Sequence, residues 1–168
     1  MKKSFSFKLI GVLGMAFLAT ACASKKATGP DVVATQNGGV VASSVTPGSQ
    51  SDLETNVGHR VFFGYDQYSL TGEAQATLQR QAQFLQQYPN VRIQIAGNCD
   101  ERGTREYNLA LGARRAEAAR AYLVSLGVAS SRITTVSYGK ERPIDSRSTE
   151  DAWALNRNAT TTIVSVGA

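Results

Sequence analysis

The chain has 168 residues and a formal charge of +5, with 18 Lys+Arg against 13 Asp+Glu, one histidine and two cysteines. Three of the lysines fall in the first 21 residues, so the remainder carries only +2 and no basic run longer than a pair, which argues against a nucleic-acid binder. A single histidine, His59, and the lack of any CxxC or HxxxH spacing argue against a metal site, and no cofactor motif is present.

The first 22 residues read "MKKSFSFKLIGVLGMAFLATAC". Lys2, Lys3 and Lys8 precede an apolar stretch from Leu9 to Ala19, which is too short to span a bilayer and is followed by small residues. This is the pattern of a secretory signal peptide over residues 1–21. An uncleaved anchor is the alternative, and the small-residue region favours cleavage. "ATAC" resembles a bacterial lipobox, although Ala19 stands where a large apolar residue is usual and Leu18 lies one place too early. Cleavage before Cys22 and lipidation of that cysteine are therefore expected. Ala23 and Ser24 follow, with no aspartate in second place, so the family-level sorting rule places the anchor in the outer membrane. A lipidated Cys22 cannot pair with Cys99, which is left as a lone thiol, buried or reactive.

Residues 22–57 are rich in Ser, Thr, Gly, Ala and Pro and have no aromatic residue. Such a segment buries too little surface to offset its ordering entropy and reads as a flexible tether. The Asn-Gly in "VVATQNGGVVAS" also fits a hairpin, but two isolated strands are marginal alone.

Residues 58–168 are long enough for one core. "HRVFFGYDQYSL" alternates as a strand, with Val61, Phe63 and Tyr65 on one face. "TGEAQATLQRQAQFLQQYPN" is helical, with Leu78, Ala82 and Leu85 at helical spacing and Pro89 as its stop. "VRIQIAG" is a second strand, 105–126 the longest helix with Gly127 ending it, "RITTVSYG" a third strand, 149–157 a short helix and "ATTTIVSV" a last strand. The order β-α-β-α-β-(α)-β implies an α+β sandwich: a mixed four-stranded sheet with helices packed on it.

The stretch "GNCDERGTREYNLALGARRA" gathers charge between the second strand and the long helix. Taking Leu111 as zero and turning about 100° per residue, Tyr122 falls near 20°, Ala118 near −20°, Arg115 near 40° and Asn108 near 60°. Arg115 thus lies on the buried stripe, where a guanidinium needs an acceptor. A structural ion pair with Asp100 or another acid, and a ligand carboxylate, both satisfy it. Asp100, Arg102 and Thr104 sit just before the helix amino terminus, whose free amides favour an anion. Gly97 and Gly103 allow close backbone approach. A carboxylate, a guanidinium, amides and Asn108 in one small volume suit a zwitterion. Asp100 and Glu101 are adjacent on a loop and match a hydrolase acid–base pair poorly.

"VFFGYDQYSLTGEAQ", "GNCDERGTREYNLALGARRAEAARAYL", "SYGKERP" and "NRN" closely resemble the lipoprotein members of the OmpA-like carboxy-terminal domain family. The resemblance covers about 58–168 and the lipoprotein leader. It implies a non-catalytic domain that binds the diaminopimelate stem peptide of peptidoglycan, with Asp100 and Arg115 as principal ligands. Tyr65, Asp66, Arg102, Thr104 and Leu111 match family contact positions. It also implies a Tol–Pal complex, with TolB as a partner. Four positions depart from the pattern: Tyr65 stands for phenylalanine, Cys99 for threonine or alanine, Arg105 for proline, and Asn158 for the second arginine of "NRR". A wall-binding relative without Tol partners, and a wall hydrolase using Asp100 and Glu101, are the competing readings.

Overall fold

Thr71, Thr104 and Thr149 each end an extended segment and start a helix. Their side-chain oxygens accept from the backbone N–H three residues on, at Ala74, Tyr107 and Ala152. Each cap satisfies one of the amides a helix start leaves unpaired. In the computed structural model, which describes residues 45–166, these helices are α2 (Gly72–Gln87), α3 (Arg105–Ser125) and α4 (Glu150–Asn156). A shorter helical segment, α1 (Gln50–Asp52), continues as a π-helical turn through Leu53–Val57. The strands are β1 (Arg60–Phe62), β2 (Val91–Asn98), β3 (Ile133–Gly139) and β4 (Asn158–Val166). The signal peptide, Cys22 and the Asn-Gly segment lie outside the described residues.

The four strands form one mixed sheet in the order β1-β4-β2-β3. β4 is antiparallel to both β1 and β2, while β2 and β3 are parallel and joined through α3. α3 packs on β2 and β3, and α2 packs against β1 and α3. Val61, Leu78, Leu85, Ile93, Ile95 and Leu123 are buried at the interface between sheet and helices. Each contributes about 1.5–3 kcal/mol relative to exposure. The fold is the mixed sheet with packed helices that the sequence pattern implies.

Three expectations change. The tether does not run to residue 57: Leu53 is 1% exposed within the core, and Gln50 Oε1 accepts from Ile163 N at 2.8 Å. One leucine on a helical turn anchors a segment whose composition is otherwise that of coil, so the folded unit starts before residue 58. The first strand is three residues long rather than twelve. After Phe63 the chain turns, with Gln67 N donating to Gly64 O and Asp66 at φ 55°, and Tyr65 stands in solvent instead of sharing the face of Val61 and Phe63. The buried stripe of α3 runs through Asn108, Leu111, Gly112, Arg115, Ala116, Ala119 and Leu123. Its centre is therefore turned toward Gly112 and Ala119, and Tyr122 sits at its edge.

Candidate functional site

β2, α3 and β3 form a parallel crossover unit, and such units present their loops at the carboxyl ends of the strands. The β2–α3 loop, residues 99–104, emerges there. Cys99 N extends the pairing by donating to Gly139 O at 2.8 Å. A cavity of about 220 Å³ opens between this loop, α3 and the turn after β1. Tyr65, Asp66, Asp100, Arg102, Asn108, Leu111 and Arg115 all line it, together with Cys99, Gly103 and Tyr107. Thr104 does not line it. Its hydroxyl is committed to the α3 cap, so the Tyr107 amide it holds is spent as an anion donor.

Arg115 is 1% exposed. Its Nε donates to Gln67 O at 2.8 Å, Nη1 to Asn98 O at 2.8 Å and Nη2 to Gly64 O at 3.1 Å. Three of its five N–H groups thus hold the turn after β1 and the end of β2, and the guanidinium also lies 5.2 Å from the Phe63 ring centroid. No carboxylate among the described residues is within ion-pair distance of it. Burial pushes its pKa down, but a guanidinium does not deprotonate in a protein. The cation is oriented by neutral carbonyls, and the carboxylates that act on it, Asp100 and Asp66, do so from beyond ion-pair distance.

Asp100 is in the opposite condition. Its carboxylate accepts from Arg102 Nη2 at 2.6 Å and Nε at 3.3 Å, from the Arg102 amide at 3.1 Å, and from Arg157 Nη1 at 3.3 Å. Burial alone raises its pKa, but these hydrogen bonds outweigh it and hold the group below the usual carboxylate value. The Arg102 guanidinium lies between two rings, 4.3 Å from the centroid of Tyr65 and 4.1 Å from that of Trp153. Trp153 Nε1 donates to Glu101 Oε1 at 3.1 Å. Glu150 pairs with Arg157 at 2.9 Å and approaches Arg102 at 3.7 Å.

Asn108 orients the loop, its Nδ2 donating to Arg102 O at 2.8 Å. Tyr107 OH donates to Asp66 Oδ1, tying the helix start to the turn after β1 across the cavity. Cys99 is buried, its Sγ lies 3.3 Å from Asn108 O, and burial raises its pKa, so it is a protonated thiol and a poor nucleophile. Asn158 fills its departure from the family pattern as a buried amide that accepts from Asn98 Nδ2 at 2.9 Å and donates to Leu155 O at 2.8 Å. Arg105, in place of proline, turns outward to Glu141.

Trp153, Arg157 and Glu150 escaped the sequence reading. They lie some fifty residues beyond the loop they hold, on or beside α4. The one signal for them was the "NRN" that contains Arg157.

The OmpA family's sequence profile matches residues 62–157. A peptidoglycan-associated lipoprotein of Rhizobium meliloti strain 1021 is 51% identical over 155 residues, covering 92% of this chain and 86% of the relative. One from Mesorhizobium japonicum is 53% identical over 154 residues, covering 91% and 90%. The crystal structure of the peptidoglycan-associated lipoprotein from Burkholderia pseudomallei is 48% identical with a TM-score of 0.61, covering 62% of this chain and 89% of that one. The carboxy-terminal domain of Helicobacter pylori MotB shares the fold at 20% identity and a TM-score of 0.59, over 63% and 84% of the two chains. A matched domain, relatives aligned along nearly the whole chain and a common architecture lead to one conclusion: the chain belongs to the OmpA family, among the peptidoglycan-associated lipoproteins.

Proposed function

We propose that this chain is an outer-membrane lipoprotein, anchored through Cys22, whose periplasmic domain grips peptidoglycan without cleaving it. The ligand is the diaminopimelate side chain of a stem peptide, seated in the cavity between Arg115 and Asp100. One observation carries the reading: Arg115 is a buried cation held in place by three backbone carbonyls, with no carboxylate of the described residues within ion-pair distance. A fixed guanidinium of that kind suits a planar carboxylate, which it can take with two parallel hydrogen bonds. Diaminopimelate supplies the carboxylate, and with it an ammonium for Asp100.

The hydrolase reading has little to stand on. Asp100 is tied to two arginines, Glu101 is bonded to Trp153 outside the cavity, and the Cys99 thiol is protonated. A wall-binding role without Tol partners differs from the main reading only in TolB, and co-purification with TolB separates the two.

Calorimetric titration with three stem peptides tests the site. Lysine lacks the side-chain carboxylate, and amidated diaminopimelate lacks its charge. A buried charged donor left unmatched costs about 1–3 kcal/mol, so both should bind roughly ten- to a hundredfold more weakly than free diaminopimelate. Equal affinity for all three overturns the proposal. Pull-down on purified sacculi extends the test to the intact wall.

A further inference from the structure

Asp100 faces the cavity but is already occupied by Arg102, through a 2.6 Å contact at Oδ2 and a 3.3 Å contact at Oδ1. The occupant is itself held. Its guanidinium is stacked between Tyr65 and Trp153, and its backbone carbonyl is fixed by Asn108. Stacking of a guanidinium on two aromatic faces is favourable, most of all on tryptophan. The side chain is nevertheless 31% exposed, so it can leave the carboxylate without unpacking the core.

On the reading of the cavity as a wall-peptide site, we infer that Arg102 is an internal competitor for the ligand's ammonium, clamped by Trp153 and Tyr65, and that it sets specificity by making ammonium binding an exchange. A ligand ammonium that reaches Asp100 replaces one cation by another. The carboxylate has the same charge count before and after, so the ammonium adds little net affinity. The released guanidinium has Glu150, now 3.7 Å away, as its next acceptor, and moving toward it changes its seat on the Trp153 ring. Arg115 offers no such exchange, because it has no carboxylate to give up. Discrimination therefore rests on the ligand's anion. A ligand with an ammonium and no carboxylate gains nothing from the site, which excludes free amines and lysine-type side chains for the same reason.

The test uses the chain purified from membranes in detergent, with two stem peptides. One carries diaminopimelate and the other carries 2-aminopimelate, its analogue without the side-chain ammonium. With the wild-type chain the two should differ by less than about threefold. In Arg102→Ala the carboxylate keeps only Arg157 at 3.3 Å, and the diaminopimelate peptide should bind more tightly than in wild type and about tenfold or more better than its analogue. Trp153→Leu, which loosens the clamp, should shift preference in the same direction by less. Trp153 is the single tryptophan, so its emission reports the clamp directly. It should change when the diaminopimelate peptide binds the wild-type chain and stay constant with Arg102→Ala.

A tenfold preference for diaminopimelate in wild type that persists unchanged in Arg102→Ala overturns the exchange. So does weaker binding by a folded Arg102→Ala, which would make Arg102 a direct ligand contact, or unmoved Trp153 emission on saturation of wild type. If neither peptide binds the wild-type chain at all, the wall-peptide reading fails and the exchange fails with it, an outcome distinct from the other three.

Discussion

Gly97 of β2 and Gly112 of α3 meet backbone to backbone. A Cβ on Gly97 would overlap the Gly112 carbonyl, and a Cβ on Gly112 would lie 2.8 Å from the Gly97 oxygen. The missing side chains let the helix settle onto the strand. Arg115, three residues on from Gly112, then reaches the carbonyl of Asn98, the residue after Gly97.

Gly97→Ala should therefore act on the cavity as well as on the core. Overpacking of this kind costs about 1–3 kcal/mol, and here both partners are backbone and cannot rotate away. The expected outcome is a lower melting temperature and weakened sacculus binding at temperatures where the variant is folded. Thermal melts beside sacculus pull-downs measure both.

Arg115→Ala should abolish sacculus binding and also destabilise the domain. Three carbonyls lose their donor, at about 1–3 kcal/mol for each one that water cannot reach. Arg115→Lys restores the charge but not the fork, so it should recover part of the stability and little of the binding. Wild-type binding by a destabilised Arg115→Ala would make the arginine purely structural.

Asp100 has a folded pKa below its ordinary 3.8. A depressed carboxylate stabilises the fold above the unfolded value, and that contribution is lost as pH falls through the folded value. Asp100→Asn should be less stable than wild type near neutrality by about 1.5–3 kcal/mol, the range for hydrogen bonds to a charged group, because Arg157 keeps only Glu150 as a charged partner. The gap should close as pH drops below 3.8. Melting temperatures of both chains from pH 7 to pH 2.5 give the comparison. A constant gap would mean that the pairs with Arg102 and Arg157 do not stabilise the fold.

Leu53→Ala should cost about 2–5 kcal/mol, the range for a buried leucine, although it lies in a segment of tether-like composition. A deletion of about fifteen residues between Ala23 and Gly39 should leave the melting temperature unchanged if that part is a tether. Calorimetric melts of the two variants test where the folded unit begins.

What could be read from the sequence was what short-range pattern governs. The apolar spacing of Leu78, Ala82 and Leu85, the alternation in "VRIQIAG" and the stop at Gly127 all act within a turn or two of the chain. So did the placement of Arg115 and Asn108 on one buried face, which the helix repeat dictates even though the stripe centre was misjudged. Leu53 was hidden because one apolar residue cannot outweigh the composition around it. Tyr65 was misplaced because the alternation continues past Phe63 while the backbone turns at Gly64. Trp153 and Arg157 were invisible as site residues because their contacts with Arg102 and Asp100 cross fifty residues or more. Nothing local fixes a cation–ring distance. The contact of Arg102 with Asp100 is local, two residues apart, but the rings that hold Arg102 there are not.

The sheet order has a consequence for the timing of folding. β4 is the last described strand, yet it lies between β1 and β2 and, among the described residues, is the only strand that β1 pairs with. Until Asn158–Val166 is available, Arg60–Phe62 has no ladder to join, and only the β2–α3–β3 unit can assemble locally. A polypeptide still emerging from a ribosome therefore lacks the strand that joins β1 to β2. Pairing across the whole sheet therefore waits on β4, while the β2–α3–β3 unit can form ahead of it.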